Sequence, residues 1–408
     1  MKNIKYILLF LFFPALIFPG ERKEFNLSEI ISLGLKNNPQ ILANEQKVKA
    51  KKAIYESSKL FFNPEIEYEI GQGKTLDTKE KVNTGGIAIE QSIENPIKRK
   101  HRIRMSEKNW QASGYSLNFS KLEVIYEIKN IFFTILLQRN LEEIGLKNLD
   151  SIKKTYQLIE KRAKLGEVKQ LEAIKLNVEI LKAQNELERI KTELKLAKDN
   201  LNKFLGNVLP PEFSVQGKLD YKKLKIEEKF LVDKISAIHP LLKKKEKELE
   251  LSISNISYVK WQRIPDPKLK AFIQNEIDGK NKGLGITMEI PLWNFKSKEI
   301  AEAESLFLKE KLELKALEIE LTTEAKSKFR QLQLTEQKIE LFYTGLLAQA
   351  EQSLKIAKIS YEQGEISLMD YLDSQRTYNE IIKDYYQALY EWNSNKASLE
   401  RSIGEEIK

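Results

Sequence analysis

Proline is the residue that an α-helix interior tolerates least, because it lacks an amide hydrogen and its ring clashes with the preceding turn. In this chain the prolines stand at 14, 19, 39, 64, 96, 210, 211, 240, 265, 267 and 291 and nowhere else. Two long stretches, Ile97 to Leu209 and Leu292 to Lys408, are therefore free of them, and both are rich in Leu, Lys, Glu, Ile and Ala. Long helices are expected in each. Glycine is scarce as well, 17 in 408 residues, and charged residues reach 31%, so the chain is poor in the turns that an all-β sandwich needs.

The punctuation repeats. Asn38-Pro39 is echoed by His239-Pro240, and Asn63-Pro64 by Asp266-Pro267. Ile87, Glu90, Ile93 and Asn95 are matched by Ile286, Glu289, Leu292 and Asn294. Leu165-Gly166-Glu167-Val168 corresponds to Gln363-Gly364-Glu365-Ile366, and Leu205-Gly206 to Ile403-Gly404. The five shifts run 201, 203, 199, 198 and 198. A near-constant shift is the signature of a duplicated unit. The expected organisation is a first repeat at 21–210, a linker at 211–230 and a second repeat at 231–408.

Each repeat has the same internal order. Asn26 with Glu29 three residues on predicts a capped helix start, and Asn38-Pro39 a restart that runs through Phe62 to the stop at Pro64. From Glu65 the residues alternate Glu, Ile, Glu, Tyr, Glu, Ile, the period of a strand with one apolar face. A polar turn at Gly71 to Gly85 and a strand at Gly86 to Ile93 would complete a hairpin over 64–93. The second hairpin, 267–292, is expected as a strand at Lys268 to Glu276, a turn at Asp278 to Gly283 and a strand at Leu284 to Leu292. Strands of this length suit a membrane barrel, and they equally suit a soluble hairpin that caps a helical bundle.

A rod of 69 residues follows each hairpin, Ile97 to Leu165 and Phe295 to Gln363, and at 1.5 Å per residue each would span about 100 Å. Both end at a glycine suited to a left-handed cap, and the chain returns through helices at 171–206 and 368–403. Leu122, Ile125, Ile128, Phe132, Ile135 and Leu136 recur at three- and four-residue spacing, an apolar stripe that needs partner helices.

The N-terminus is expected to be a secretory signal over residues 1–20, with Lys2 and Lys5 before an apolar run from Tyr6 to Phe18. No later segment holds about 18 uninterrupted apolar residues, so entry into a membrane would be as a barrel.

Enzymatic chemistry finds no foothold. With 0 cysteines there is no thiolate site, disulfide or lipidated cysteine. The histidines are 2, His101 among Lys98, Arg99, Lys100, Arg102 and Arg104, and His239 before a proline, neither with ligands at metal spacing. Gly283 and Gly285 lie in a strand without the helix that a phosphate loop opens onto. The basic run Lys98 to Arg104 has no aromatic platform near it in sequence and reads as solvated or headgroup-facing. The net charge of +9 is spread over the chain, so nucleic acid is not an expected partner. No enzyme, cofactor or metal site is expected. One acidic group stands apart: Asp370 and Asp373 share a face at the start of the last helix. They would stabilise that helix through its dipole or, repeated around an axis, form carboxylate rings at a constriction.

The tandem order of helix, Asn-Pro break, hairpin, rod, glycine tip and returning helix resembles the TolC-type outer-membrane efflux proteins. Leu33 to Ile41, Gln91 to Pro96, Glu289-Ile-Pro-Leu-Trp293 and Gly364 to Asp373 carry the resemblance, over essentially all of the mature chain. The Gln-x-Ile-Glu-x-Pro and Pro-Leu-Trp elements are nearest to the metal-cation and multidrug branches. The resemblance implies a mainly α protein with a small β part. In a homotrimer each chain would give four strands to a shared twelve-stranded barrel and its helices to a periplasmic tunnel.

It also implies a passive export duct for small molecules, cations or proteins, fed by an inner-membrane RND or ABC transporter through a periplasmic adaptor. The family's gate maps onto Asp370, Asp373 and Tyr361. The adaptor-docking tips map onto Leu165, Gly166, Glu167 and Val168 and onto Gln363, Gly364, Glu365 and Ile366. Ile366 stands where the family's best-known member has an arginine, so a bridge built on that arginine lacks its residue here. In a barrel Glu65, Glu67, Glu69, Thr287 and Glu289 should face the lumen, and Ile66, Tyr68 and Ile70 lipid. Replacing Asp370 and Asp373 together by alanine should raise conductance. The competing expectation is a soluble periplasmic coiled-coil scaffold without a pore.

Overall fold

The structure is a computed structural model that describes residues 24–225 and 227–407. The signal expected at 1–20 lies outside the described residues. A short strand β1 (Glu24–Phe25) leads into α1 (Leu27–Asn37) and α2 (Pro39–Ser58). Strands β2 (Glu65–Lys74) and β3 (Lys81–Ser92) form a hairpin, α3 (Pro96–Lys164) is the first rod, and α4 (Gln170–Phe204) returns along it. β4 (Ser214–Val215) pairs in parallel with β1. The order then recurs as α5 (Glu228–Ile238), α6 (Pro240–Trp261), β5 (Lys268–Glu276), β6 (Gly279–Thr287), α7 (Ser297–Leu341), a π-helical turn at Phe342–Leu346, α8 (Leu347–Gln363) and α9 (Leu368–Ile403).

Caps set the helix starts. Asn26 Oδ1 accepts from the Glu29 amide at 2.9 Å, and Glu29 accepts from the Asn26 amide at 2.8 Å, the expected reciprocal box. Asn38 caps α2 and Asn95 caps α3, each with a proline at the first helical position, where its missing N–H costs nothing. In each repeat the kink before the proline abuts the glycine that ends the return helix. A Cβ on Gly206 would lie 3.0 Å from Asn37 O, and one on Gly404 would lie 3.2 Å from His239 Cα. The paired Leu-Gly and Ile-Gly signatures thus mark a close approach of backbones.

α3 is the spine. It packs on α2 and α6 towards the sheet and on α4 and α9 towards the far tip. Its stripe is buried as expected at Ile128, Phe132, Ile135 and Leu136. These join Ile30, Leu201, Leu231, Leu332, Trp392 and Leu399 in one core around the middle of the rods. A second core near the tip gathers Leu149, Ile159, Leu176, Leu187 and Leu372. Each fully buried aliphatic side chain contributes about 1.5–3 kcal/mol, so the rods are held mainly by these two cores.

Five features differ from the sequence expectation. α2 ends at Ser58 rather than Phe62, because Arg102 and Arg99 take the carbonyls of Ser58 and Lys59. The first hairpin is longer than expected, with Gln72, Lys74, Lys81 and Asn83 inside its strands. The second turns tightly at Ile277-Asp278, where Gly279 adopts φ 148°, so the expected turn at 278–283 is mostly strand. β6 then stops at Thr287, and Glu289 lies beyond it. Pro291, which has no amide hydrogen to add to a ladder, follows. The second rod is not continuous: Gly345, at φ 147°, interrupts it between α7 and α8.

Candidate functional site: a two-faced sheet and a helical tip

The sheet has strand order β2-β3-β5-β6 and is antiparallel throughout. Side chains directly opposite one another share a face. Register therefore puts Ile66, Tyr68 and Ile70 with Ile87 and Ile89, then Leu269 and Ile273, then Leu284 and Ile286, on one face. These apolar side chains are exposed, Tyr68 by 71% and Leu284 by 88%. A soluble protein does not leave so continuous an apolar surface to water.

The other face is polar. Glu65, Glu67, Glu69 and Glu90 lie on it with Lys268, Lys270 and Thr287. Lys268 pairs with Glu90 at 2.8 Å and Lys270 with Glu67. A cavity of 830 Å³ at the base of this face is lined by Glu90, Lys98, Asp266, Lys268, Thr287 and Glu289. Thr287 and Glu289 thus meet the first hairpin's carboxylate side although Glu289 is off the strand.

Within the basic run after the hairpin, Lys98, Arg99 and Arg102 are engaged and Arg99 and Arg102 meet aromatic rings, while Lys100 and Arg104 are exposed as expected. Lys98 Nζ meets Asp266 Oδ2 at 2.7 Å, and Asp266 Oδ1 accepts from the Asn95 amide at 2.8 Å. Arg102 grips Glu94 with two bonds of 2.8 and 2.7 Å, the fork geometry that makes arginine–carboxylate pairs strong. The guanidinium groups of Arg99 and Arg102 lie over the rings of Phe61 and Phe62 at 4.5 and 5.0 Å. These groups clamp the sheet to the helices and join the two repeats.

At the opposite end the two tips match. Gly166 at φ 78° and Gly364 at φ 80° close their helices, with Glu167 N donating to Arg162 O and Glu365 N to Ser360 O at 3.0 and 2.8 Å. Leu165, Glu167, Gln363 and Glu365 are exposed, while Val168 and Ile366 turn inward against the tip core. Ile366 is therefore a packing residue in this chain.

Asp370 and Ser367 form a capping box, with Ser367 Oγ 2.7 Å from Asp370 Oδ2. Those hydrogen bonds hold the Asp370 carboxyl below its usual range. Asp373 is exposed one turn further on. Tyr361 stacks on Tyr371 at 5.4 Å, and burial pushes its hydroxyl up to about 12. Within the protomer, then, Asp370 caps and Tyr361 packs, and only Asp373 of the three is left without either task.

Sequence reasoning missed a polar layer above the tip. Asn148 Oδ1 accepts from Gln375 and Asn379 at 3.1 and 2.8 Å, and Arg376 meets Glu179 at 3.0 Å. These bonds tie α9 to α3 and α4. Polar side chains scattered over three helices leave no local pattern.

Of the two histidines, His239 is buried at the start of α6. Its Nδ1 accepts from the Leu241 amide at 3.3 Å, and burial pulls its pKa down to about 4. His101 is half-buried, and burial followed by Lys100 and Arg104 lowers it as well. Among the described residues no three His, Cys, Asp or Glu side chains are placed to hold a metal ion, and no helix is long and apolar enough to cross a membrane.

A family profile described as "Outer membrane efflux protein" matches residues 30–207 and again 232–405. The cobalt-zinc-cadmium resistance protein CzcC of Cupriavidus metallidurans is 22% identical over 393 residues, covering 95% of this chain and 92% of that protein. The solved structure of CusC superposes with a TM-score of 0.79 at 16% identity, covering 93% of this chain and 92% of that one. The outer membrane protein VceC of Vibrio cholerae gives 0.76 at 15% identity, with 94% and 97% covered. At these identities the two structures speak for the fold.

Proposed function

Since the chain belongs to the outer membrane efflux protein family, whose members are outer-membrane efflux channels with a periplasmic tunnel, we propose that it is a passive duct assembled as a homotrimer. Each repeat supplies one hairpin and one rod with its return helix. Three four-stranded sheets close a twelve-stranded barrel. The observation that carries this reading is the two-faced sheet: its apolar face suits lipid and its carboxylate face suits a water-filled lumen. Such a duct catalyses nothing. An inner-membrane RND or ABC transporter drives export through a periplasmic adaptor, whose hairpins seat on the exposed tip residues Leu165, Glu167, Gln363 and Glu365.

Cargo is read from two features. The luminal glutamates Glu65, Glu67 and Glu69 favour cations, and the relative CzcC is named for cobalt, zinc and cadmium resistance. Small cations are accordingly the proposed cargo.

At the tip, Asp373 from three protomers forms a carboxylate ring that narrows the closed end. The test is conductance in planar bilayers with heat-modifiable, detergent-dependent migration of the mature chain. Wild type should give discrete channels, and Asp373→Ala should raise their conductance. Asp373 is the better target than the Asp370–Asp373 double change, because Asp370→Ala also uncaps α9. A water-soluble chain that gives no channels would favour the scaffold. Channels with unchanged conductance would remove the gate alone.

A further inference from the structure

The sheet sorts charge by face. Every carboxylate within its strands, at Glu65, Glu67, Glu69, Glu90 and Glu276, lies on the polar face. The apolar face carries no carboxylate from a strand and four lysines, Lys74, Lys81, Lys280 and Lys282, all exposed. All four lie towards the hairpin ends remote from the helices. With the helices in the periplasm, that end points to the cell exterior.

Lys74 and Lys81 are directly opposed across β2 and β3. Like charges so placed are destabilising, since their Cβ atoms sit about 4.5–5.5 Å apart. Among the described residues none of the four lysines has an ion-pair partner, whereas Lys268 and Lys270 on the polar face are both paired. An unpaired cationic collar directly above an apolar band calls for an anion that arrives with its own apolar body.

We propose that Lys74, Lys81, Lys280 and Lys282 bind the phosphate groups of an anionic lipid in the outer leaflet, whose acyl chains lie along Ile70, Ile87 and Leu284. Lysine suits this position because its apolar stem stays along the band while the ammonium group rises to the headgroup. One phosphate bridges the opposed Lys74 and Lys81 and relieves their repulsion. Lys280 and Lys282, two apart on β6, reach a second.

The inference rests on the outer-membrane reading, and its test separates the two. The full mature chain, purified in a neutral detergent, is titrated with the bis-phosphorylated glycolipid lipid A and with its enzymatically dephosphorylated form, and retained lipid is read by native mass spectrometry. Wild type should retain lipid A and lose most of that retention when the phosphates are removed. The quadruple change of Lys74, Lys81, Lys280 and Lys282 to Gln should weaken retention roughly tenfold or more, each lysine near an anionic surface contributing a several-fold factor. The quadruple change to Arg should keep it. Equal retention of both lipids by wild type, or of lipid A by wild type and the Gln variant, overturns the lysine collar and leaves the channel intact. A chain that forms no detergent-embedded oligomer overturns both.

Discussion

Asn38 and His239 occupy the same place in the two repeats, before the proline that starts α2 and α6, and both accept backbone amides there. They differ in what pH does to them. Buried His239 is neutral when folded, with a pKa of about 4 against an ordinary 6.5. The unfolded chain takes up the proton first as pH falls. The folded state therefore holds its full stability above pH 6.5 and loses it as pH drops towards 4, by about 3 kcal/mol in all. His239→Asn, which copies the first repeat, should abolish that part of the pH dependence in denaturant titrations at pH 7 and pH 4.5. An unchanged slope between the two pH values would refute the assignment. From the sequence His239 is only a histidine before a proline, with no metal ligands at the right spacing. Its burial was not legible, since it comes from α3 and α9 folding over it.

At the scale of elements, legibility followed punctuation. α3 matches its expected limits to within one residue because it holds no proline beyond its first position, and its two glycines, Gly114 and Gly145, keep helical backbone. The companion rod holds one glycine at its break, and a lone helical glycine is ambiguous in sequence. What makes Gly345 a break is its φ of 147°, which side chains other than glycine rarely adopt. Aromatic rings crowd the break: Phe342 meets Tyr385 at 5.7 Å, and the Tyr343 and Tyr385 hydroxyls are 3.2 Å apart. Gly345→Ala should destabilise the chain by about 1–3 kcal/mol, read as a lower denaturation midpoint. A midpoint equal to wild type would mean that the rod can run straight at no cost. The hairpins were misjudged for a different reason. Gln72, Asn83 and Lys282 look like turn residues, yet they are strand positions near a membrane edge, where polar side chains are at home.

For the whole molecule, the apolar sheet face makes a directional claim. Tyr68→Lys puts a charge in the middle of the band and should cost about 2–4 kcal/mol of stability in a bilayer, seen as trimers that dissociate at lower temperature. Thr287→Lys, on the opposite face, should leave that temperature nearly unchanged. If both behave alike, the faces have been assigned the wrong way round or the sheet meets no lipid. The duplication was fully legible from five pairs of short motifs. How the two hairpins join was not, because β3, which ends at Ser92, and β5, which begins at Lys268, are far apart in sequence, and their ladder is flanked by the Lys98–Asp266 pair.

The sheet stops at β2 on one side and β6 on the other. Each edge carries a row of backbone donors and acceptors that water can satisfy and hydrocarbon cannot. A solitary chain is thus barred from the bilayer by its own main chain, whatever its side chains prefer. Insertion must wait for an encounter that covers both rims at once, so the yield of membrane-embedded protein should climb faster than linearly with the amount of chain secreted. Underexpression would then show itself first as material stranded in the periplasm, not as fewer but complete pores.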